Sequence, residues 1–145
     1  MKDLSSHMMD IVQNSIRAEA SWIQIRICED PEADLFLIEI QDNGCGMDEA
    51  TLARVRDPFF TSRTVRKVGL GIPLLQQNAE RTGGKVSIVS QPGQGTTLTA
   101  RFGHSHPDRP PLGDVAETLT LLAAANPAIH FSYDHSTPSG TYRFD

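Results

Sequence analysis

The chain has 145 residues, 39% of them apolar, enough for one domain with a proper core and too many for a disordered chain of this net charge. A formal net charge of −5 gives no support to nucleic-acid binding by bulk electrostatics. The two cysteines, Cys28 and Cys45, fit no disulfide framework or zinc spacing, and no signal peptide or run of 18 apolar residues is present. The expectation is a cytoplasmic protein with reduced thiols that spans no membrane.

Asp3 to Ala20 is predicted to be a helix, with Leu4, Met8, Ile11, Val12 and Ile16 as its apolar stripe. Asp10 and Asn14 lie four apart on a different stripe. Trp22 to Cys28 alternates Ile23, Ile25 and Ile27 with polar residues and predicts a half-buried strand. Leu35 to Gln41 is nearly all apolar, which predicts a central strand covered on both faces that delivers Asp42 at its end. Gly69 to Arg81 is predicted to be the second helix, with Leu74, Leu75 and Ala79 facing inward and Gly83-Gly84 stopping it. Pro73 is tolerated there only in the first turn. Strands are predicted at Val86 to Ser90 and Thr96 to Phe102, joined by a Pro-Gly turn. After a Pro-containing linker, Asp114 starts a helix carrying Leu119, Leu121 and Leu122, with Glu117 completing a capping box. Ile129 to Tyr133 and Thr141 to Phe144 read as a closing hairpin. The order implies a mixed sheet with helices packed on it.

The stretch from Asp42 to Gly71 carries the chemistry. Asp42-Asn43-Gly44-Cys45-Gly46-Met47 opens it and Gly69-Leu70-Gly71 closes it. Arg54, Arg56, Arg63, Arg66 and Lys67 cluster between them, as a phosphate-facing lid or as a solvated basic loop. Glycines let a ligand approach the backbone, and a Gly-rich turn opening a helix aims free N–H groups at an anion. Asn14 offers a hard, neutral amide oxygen suited to Mg²⁺. Asp10, one turn earlier, could orient or deprotonate a water or hydroxyl aimed at a γ-phosphate. Both could equally be solvated helix residues. Asp42 could accept a hydrogen bond from the exocyclic amine of a base, or simply cap the Gly44 N–H. The Gly-x4-Gly-Lys-Ser/Thr phosphate loop is absent, and Gly69-Leu70-Gly71 lacks the third glycine of a dinucleotide fingerprint.

Five motifs stand in one order: Asp10-Ile-Val-Gln-Asn14-Ser, Asp42-Asn-Gly-Cys-Gly-Met47, Asp57-Pro-Phe-Phe-Thr61, Gly69-Leu-Gly71 and Gly95-Thr96-Thr97. Together they resemble the Bergerat-fold ATP-binding domain of histidine kinases, gyrase, heat-shock chaperones and mismatch-repair ATPases, over roughly Asp3 to Phe102. The resemblance implies an α/β two-layer sandwich, a mixed β-sheet with helices on one face, and ATP held under a mobile lid. It implies an ATP-binding domain over residues 1–102, with residues 103–145 as a helix and hairpin packed onto it. Asn14 then resembles the Mg²⁺-holding asparagine and Asp42 the adenine-binding aspartate. Gly44 and Gly46 shape the adenine pocket, with Met47 beside them. Gly69, Leu70 and Gly71 resemble the lid hinge whose helix end meets the phosphates. Thr96, with Thr97 as the neighbouring option, resembles the threonine that assists Asp42 through water. Arg63 and Lys67 are candidates for phosphate contact from charge and position.

Asp10 holds the place of the catalytic base in the ATPase branches, where many members have the longer Glu. Before Gly69 stand Arg66, Lys67 and Val68 rather than further glycines, which predicts a stiffer, more basic lid. Members of the family also have strands before the Asn helix, and the terminal hairpin is expected to fill that place in the sheet. None of the five histidines sits in a phosphoacceptor box; His7 is followed by Met-Met-Asp. The implied activity is Mg·ATP binding, with hydrolysis or transfer to a partner protein. The alternative is a nucleotide-gated regulatory module resembling the domains that control sigma factors. Relatives often dimerise.

Overall fold

A computed structural model describes residues 4–46, 71–105, 113 and 115–144. The elements are α1 (Leu4–Arg17), β1 (Trp22–Asp30), β2 (Leu35–Asp42), α2 (Gly71–Arg81), β3 (Lys85–Gln91), β4 (Gly95–Gly103), α3 (Val115–Ala125), β5 (His130–Thr137) and β6 (Gly140–Phe144). The strands form one sheet in the order β3-β4-β2-β1-β5-β6. β5 runs parallel to β1, and every other neighbouring pair is antiparallel. The sheet is therefore mixed, and the terminal hairpin lies in it beside β1.

Alternation along the strands decides which face the helices cover. Ile23, Ile25 and Ile27 of β1, Phe36, Ile38 and Ile40 of β2, and Leu98, Ala100 and Phe102 of β4 are all buried on one face. Leu4, Met8, Ile11 and Val12 of α1, Leu75 and Ala79 of α2, and Val115, Leu119 and Leu122 of α3 join them in a single core. Each fully buried aliphatic side chain contributes roughly 1.5–3 kcal/mol. β2 is central, but the expectation that both its faces are covered is wrong. Its residues alternate between half-buried and buried, because the described helices occupy one face only. Leu35 and Leu37 are thus half-buried on the open face, and Arg26 and Glu39 pair across β1 and β2 there at 3.5 Å.

The ends of the elements follow local rules. α1 stops because Glu19 takes a left-handed conformation (φ 64°), letting Ala20 N–H close back on the Ser15 carbonyl at 3.2 Å. α2 stops at the glycine pair, where Gly84 N–H reaches the Ala79 carbonyl at 2.9 Å and Gly83 has φ 86°. The closing hairpin is longer than its apolar residues suggest. β5 continues through His135 to Thr137, and the turn is only Pro138-Ser139.

That extension has a cause. Glu29, on the helix-bearing face near the end of β1, accepts from His104 Nε2 at 2.9 Å and from His135 Nε2 at 2.6 Å. His135 Nδ1 lies 3.2 Å from the Tyr133 hydroxyl. Partial burial by itself would raise the Glu29 carboxyl, but the two histidine hydrogen bonds and their charge outweigh it and hold the group below its ordinary 4.5. A depressed carboxyl stabilises the fold above its unfolded value, and that stabilisation is lost as pH falls through the folded one. Glu29→Gln is therefore expected to lower stability by about 1–2 kcal/mol at pH 7. In denaturant titrations the gap from wild type should close as pH falls below 4.5. A gap that persists unchanged at pH 3 would contradict this assignment.

Candidate functional site

Asp42 ends β2 on the helix-bearing face, opposite Ile23 of β1 and Thr96 of β4, and only 8% of it is exposed. Both carboxylate oxygens are engaged. Ser15 Oγ donates to Oδ2 at 2.6 Å, and Gly44 N–H donates to Oδ1 at 2.8 Å. The turn-capping role foreseen for Asp42 is real, and it coexists with a second bond that aims the carboxylate. Ser15 was not among the residues singled out from sequence. Its signal was its place directly after Asn14, on the core side of α1.

The loop after Asp42 is fixed from three sides. Asn43 Oδ1 accepts from the backbone N–H groups of Ser21 and Trp22 at 2.9 and 3.0 Å, which ties the loop to the start of β1. Cys45 N–H donates to the Ala18 carbonyl at the end of α1, at 2.9 Å. The Cys45 carbonyl accepts from Gly93 N–H in the β3–β4 turn, at 2.7 Å. Glycine is required where these backbones meet. A Cβ on Gly44 would lie 2.8 Å from the Ala18 carbonyl oxygen, and one on Gly46 (φ 72°) would run into the Gln91 carbonyl. The two glycines of the box thus let α1, the loop and the β3–β4 turn close on one another.

Thr96 shares the face of Asp42, and its Oγ1 lies 2.8 Å from Ser90 Oγ. Ser90 spends its own hydroxyl hydrogen on the Gly95 carbonyl at 3.1 Å, so Thr96 is the donor of that pair. Asp42 and Thr96 then both carry acceptor lone pairs on the helix-bearing face, the kind of group a ligand N–H₂ can use. Thr97, one residue on, lies on the open face opposite Gln41. A recess of about 220 Å³ at this end of the sheet takes in Gln41, Val89, Gln91 and Thr97 of the open face as well as Asp42, Ser90 and Thr96, so it wraps the sheet end rather than lying under the helices.

Asn14 is not a solvated helix residue. Its Oδ1 is buried and has no hydrogen-bond donor among the described residues, and the same holds for Gln76 Oε1 on α2. An orphaned buried acceptor costs roughly 1–3 kcal/mol, so the Asn14 oxygen is a position that a cation would satisfy. Among the described residues no three His, Cys, Asp or Glu side chains converge as a metal cage. Mg²⁺ keeps waters and substrate phosphates and needs few protein ligands, so a single amide oxygen is a chemically sufficient protein donor. Asp10 is half-buried one turn before Asn14. Gly71 is the first residue of α2. Met47, Arg63, Lys67, Gly69 and Leu70, with the rest of the basic segment, lie outside the described residues.

Ser15→Ala leaves one Asp42 oxygen without its donor while removing little volume. The variant is expected to fold with a loss of about 1 kcal/mol and to bind adenine nucleotides about tenfold more weakly, measured by calorimetry. Unchanged affinity would show that the Ser15 bond serves packing alone.

Comparison with known proteins shows the family to which the chain belongs. A sequence profile described as "Histidine kinase-, DNA gyrase B-, and HSP90-like ATPase" matches residues 2–106. The sensor protein kinase FleS of Pseudomonas aeruginosa is 36% identical over 92 residues, 63% of this chain and 23% of the relative. The signal transduction histidine-protein kinase AtoS of Escherichia coli is 34% identical over 97 residues, 66% of this chain and 16% of the relative. The chain therefore corresponds to less than a quarter of either relative's length. A crystal structure of the N-terminal domain of a DNA repair protein superposes with a TM-score of 0.62 at 20% identity, over 98% of this chain and 52% of the other, and so shares the fold. With the profile spanning most of the sequence and the sheet, helices and Asp42 corner in place, the chain belongs to the histidine kinase-, DNA gyrase B- and HSP90-like ATPase family.

Proposed function

We propose that the chain binds Mg·ATP between α1 and the Asp42 end of the sheet and directs its γ-phosphate to water or to a side chain of a partner protein. The observation that carries this reading is the buried amide oxygen of Asn14, which meets no donor among the described residues and lies one residue before the serine that holds Asp42. One turn of α1 thereby serves both ends of a nucleotide. Asp42 and Thr96 accept from the adenine amine. Asn14 supplies an oxygen to Mg²⁺, which when bound neutralises phosphate charge. Gly69 to Gly71 and the helix they open, with Arg63 and Lys67, are assigned to the phosphates. Asp10 accepts the proton of the attacking hydroxyl as its oxygen bonds to phosphorus and the bond to the ADP oxygen breaks.

The fact that Asp10 is one methylene shorter than Glu favours a second reading, a nucleotide-gated module that binds ATP and turns it over slowly or not at all. Calorimetric titration with a non-hydrolysable ATP analogue, with and without Mg²⁺, followed by phosphate-release assays, separates the two. Wild type is expected to bind with Mg²⁺-dependent affinity. Asn14→Ala should abolish that dependence, and Asp42→Asn should reduce the preference for ATP over GTP. Asp10→Asn should retain affinity but lose phosphate release by roughly 10²-fold or more. Binding by wild type with no phosphate released, with or without a partner, would select the gated module. Mg²⁺ dependence that survives in Asn14→Ala would contradict the assignment.

A further inference from the structure

α1 and α2 meet through a buried polar contact outside the residues assigned to the nucleotide. His7 and Asn78 are 1% and 4% exposed, and Asn78 Nδ2 lies 3.0 Å from His7 Nε2. Chemistry fixes the direction of this bond. Arg81 donates to Asn78 Oδ1 at 3.2 Å, and a guanidinium has only donors, so the amide oxygen faces Arg81 and the amide NH₂ faces His7. His7 Nε2 must then accept, which leaves the ring neutral with its proton on Nδ1. Protonation at Nε2 would set two donors against each other and bury a charge among Leu4, Met8, Ile11, Leu75 and Ala79.

The position of this bond matters as much as its chemistry. His7, Asp10 and Asn14 are spaced i, i+3 and i+7 and share one stripe of α1. Apolar packing tolerates small rotations and slides of one helix on another, whereas a buried directional bond favours one register. The seat of α2 is thereby referenced to the stripe that bears Asp10 and Asn14.

We propose that His7 and Asn78 are positioning residues forming a proton-sensitive latch: neutral His7 holds α2 in register on α1, and acidification releases it and weakens nucleotide binding. The nucleotide half of this inference rests on the function proposed above. The step is uptake of one solvent proton at Nε2, with loss of the Asn78 N–H···Nε2 bond. The charged groups on the described elements around α1 are Arg81 and the exposed Glu80 on α2, the exposed Glu117 on α3, Glu39 and Asp42 on β2, and Asp10 and the exposed Arg17 on α1 itself. Carboxylates and guanidinium ordinarily titrate outside the window from about pH 5.5 to 7.5, and histidine inside it.

The test is hydrogen exchange of the α2 amides in the nucleotide-free full chain at pH 7.5 and 5.5, corrected for intrinsic rates. It is paired with the affinity for a non-hydrolysable Mg·ATP analogue at both values. His7→Gln offers an acceptor oxygen that does not titrate. Wild type is expected to lose roughly tenfold in both α2 protection and affinity on acidification, while His7→Gln changes by less than about twofold. If His7→Gln fails to fold, the apolar double variant His7→Leu/Asn78→Leu takes its place with the same expectation. Unchanged α2 protection in wild type, or an equal fall in the variants, overturns the latch even if nucleotide binds. Protection that follows His7 in a protein that binds no nucleotide at either pH supports the latch and overturns the proposed function instead.

Discussion

The hydrogen bond from Ser15 to Asp42 joins two residues 27 positions apart and fixes the rotation of α1 over the sheet end. Adjacent residues on an α-helix point about 100° apart. If Ser15 faces down onto Asp42, Asn14 must face sideways, and there its amide oxygen is buried without a donor. Turning the helix by one residue would exchange these roles and leave Asp42 without the donor on Oδ2. The acid proposed to read the base and the amide proposed to meet the cation are therefore set by one rotation angle.

Close approach of three backbones makes that bond possible. The end of α1, the loop after Asp42 and the β3–β4 turn exchange backbone hydrogen bonds through Cys45, whose N–H goes to Ala18 and whose carbonyl takes Gly93 N–H. Gly95, with φ 103°, brings the turn so near that a Cβ would strike the Asp42 carbonyl. At the other end of β1, about 20 Å away by strand rise, Glu29 draws His104 and His135 together. Two polar clusters thus mark the ends of a sheet whose covered face is, between them, lined by apolar side chains. The first leaves one buried acceptor, the Asn14 amide oxygen, without a donor among the described residues. The second is closed on itself and ties β5 to β1.

Periodicity made much of the fold legible. The isoleucines of β1 and the apolar stripe of α1 face the core as their spacing requires, and the glycine pair ends α2. It failed where a run was apolar throughout. Leu35 and Leu37 look like interior residues, yet both are only half-buried on the open face, and no pattern within one strand reveals how many layers cover it. It also failed at β5, where polar residues continue the strand because Glu29, a hundred positions earlier, supplies their partner. At the site, Asp42, Asn14 and Thr96 could be read from motif residues. Ser15, Asn43 and Ser90 could not, because a serine or asparagine becomes a positioning group only through a contact that the fold creates.

The central claim is that one turn of α1 places a cation ligand and a purine reader in a single cleft. Its most direct measurement is a crystal grown with a non-hydrolysable ATP analogue and Mn²⁺ in place of Mg²⁺, with anomalous scattering used to locate the ion. The account predicts an anomalous peak at direct coordination distance from Asn14 Oδ1, together with the adenine amine within hydrogen-bond reach of Asp42. An ion or a base bound elsewhere, with Ser15 still on Asp42, would contradict it.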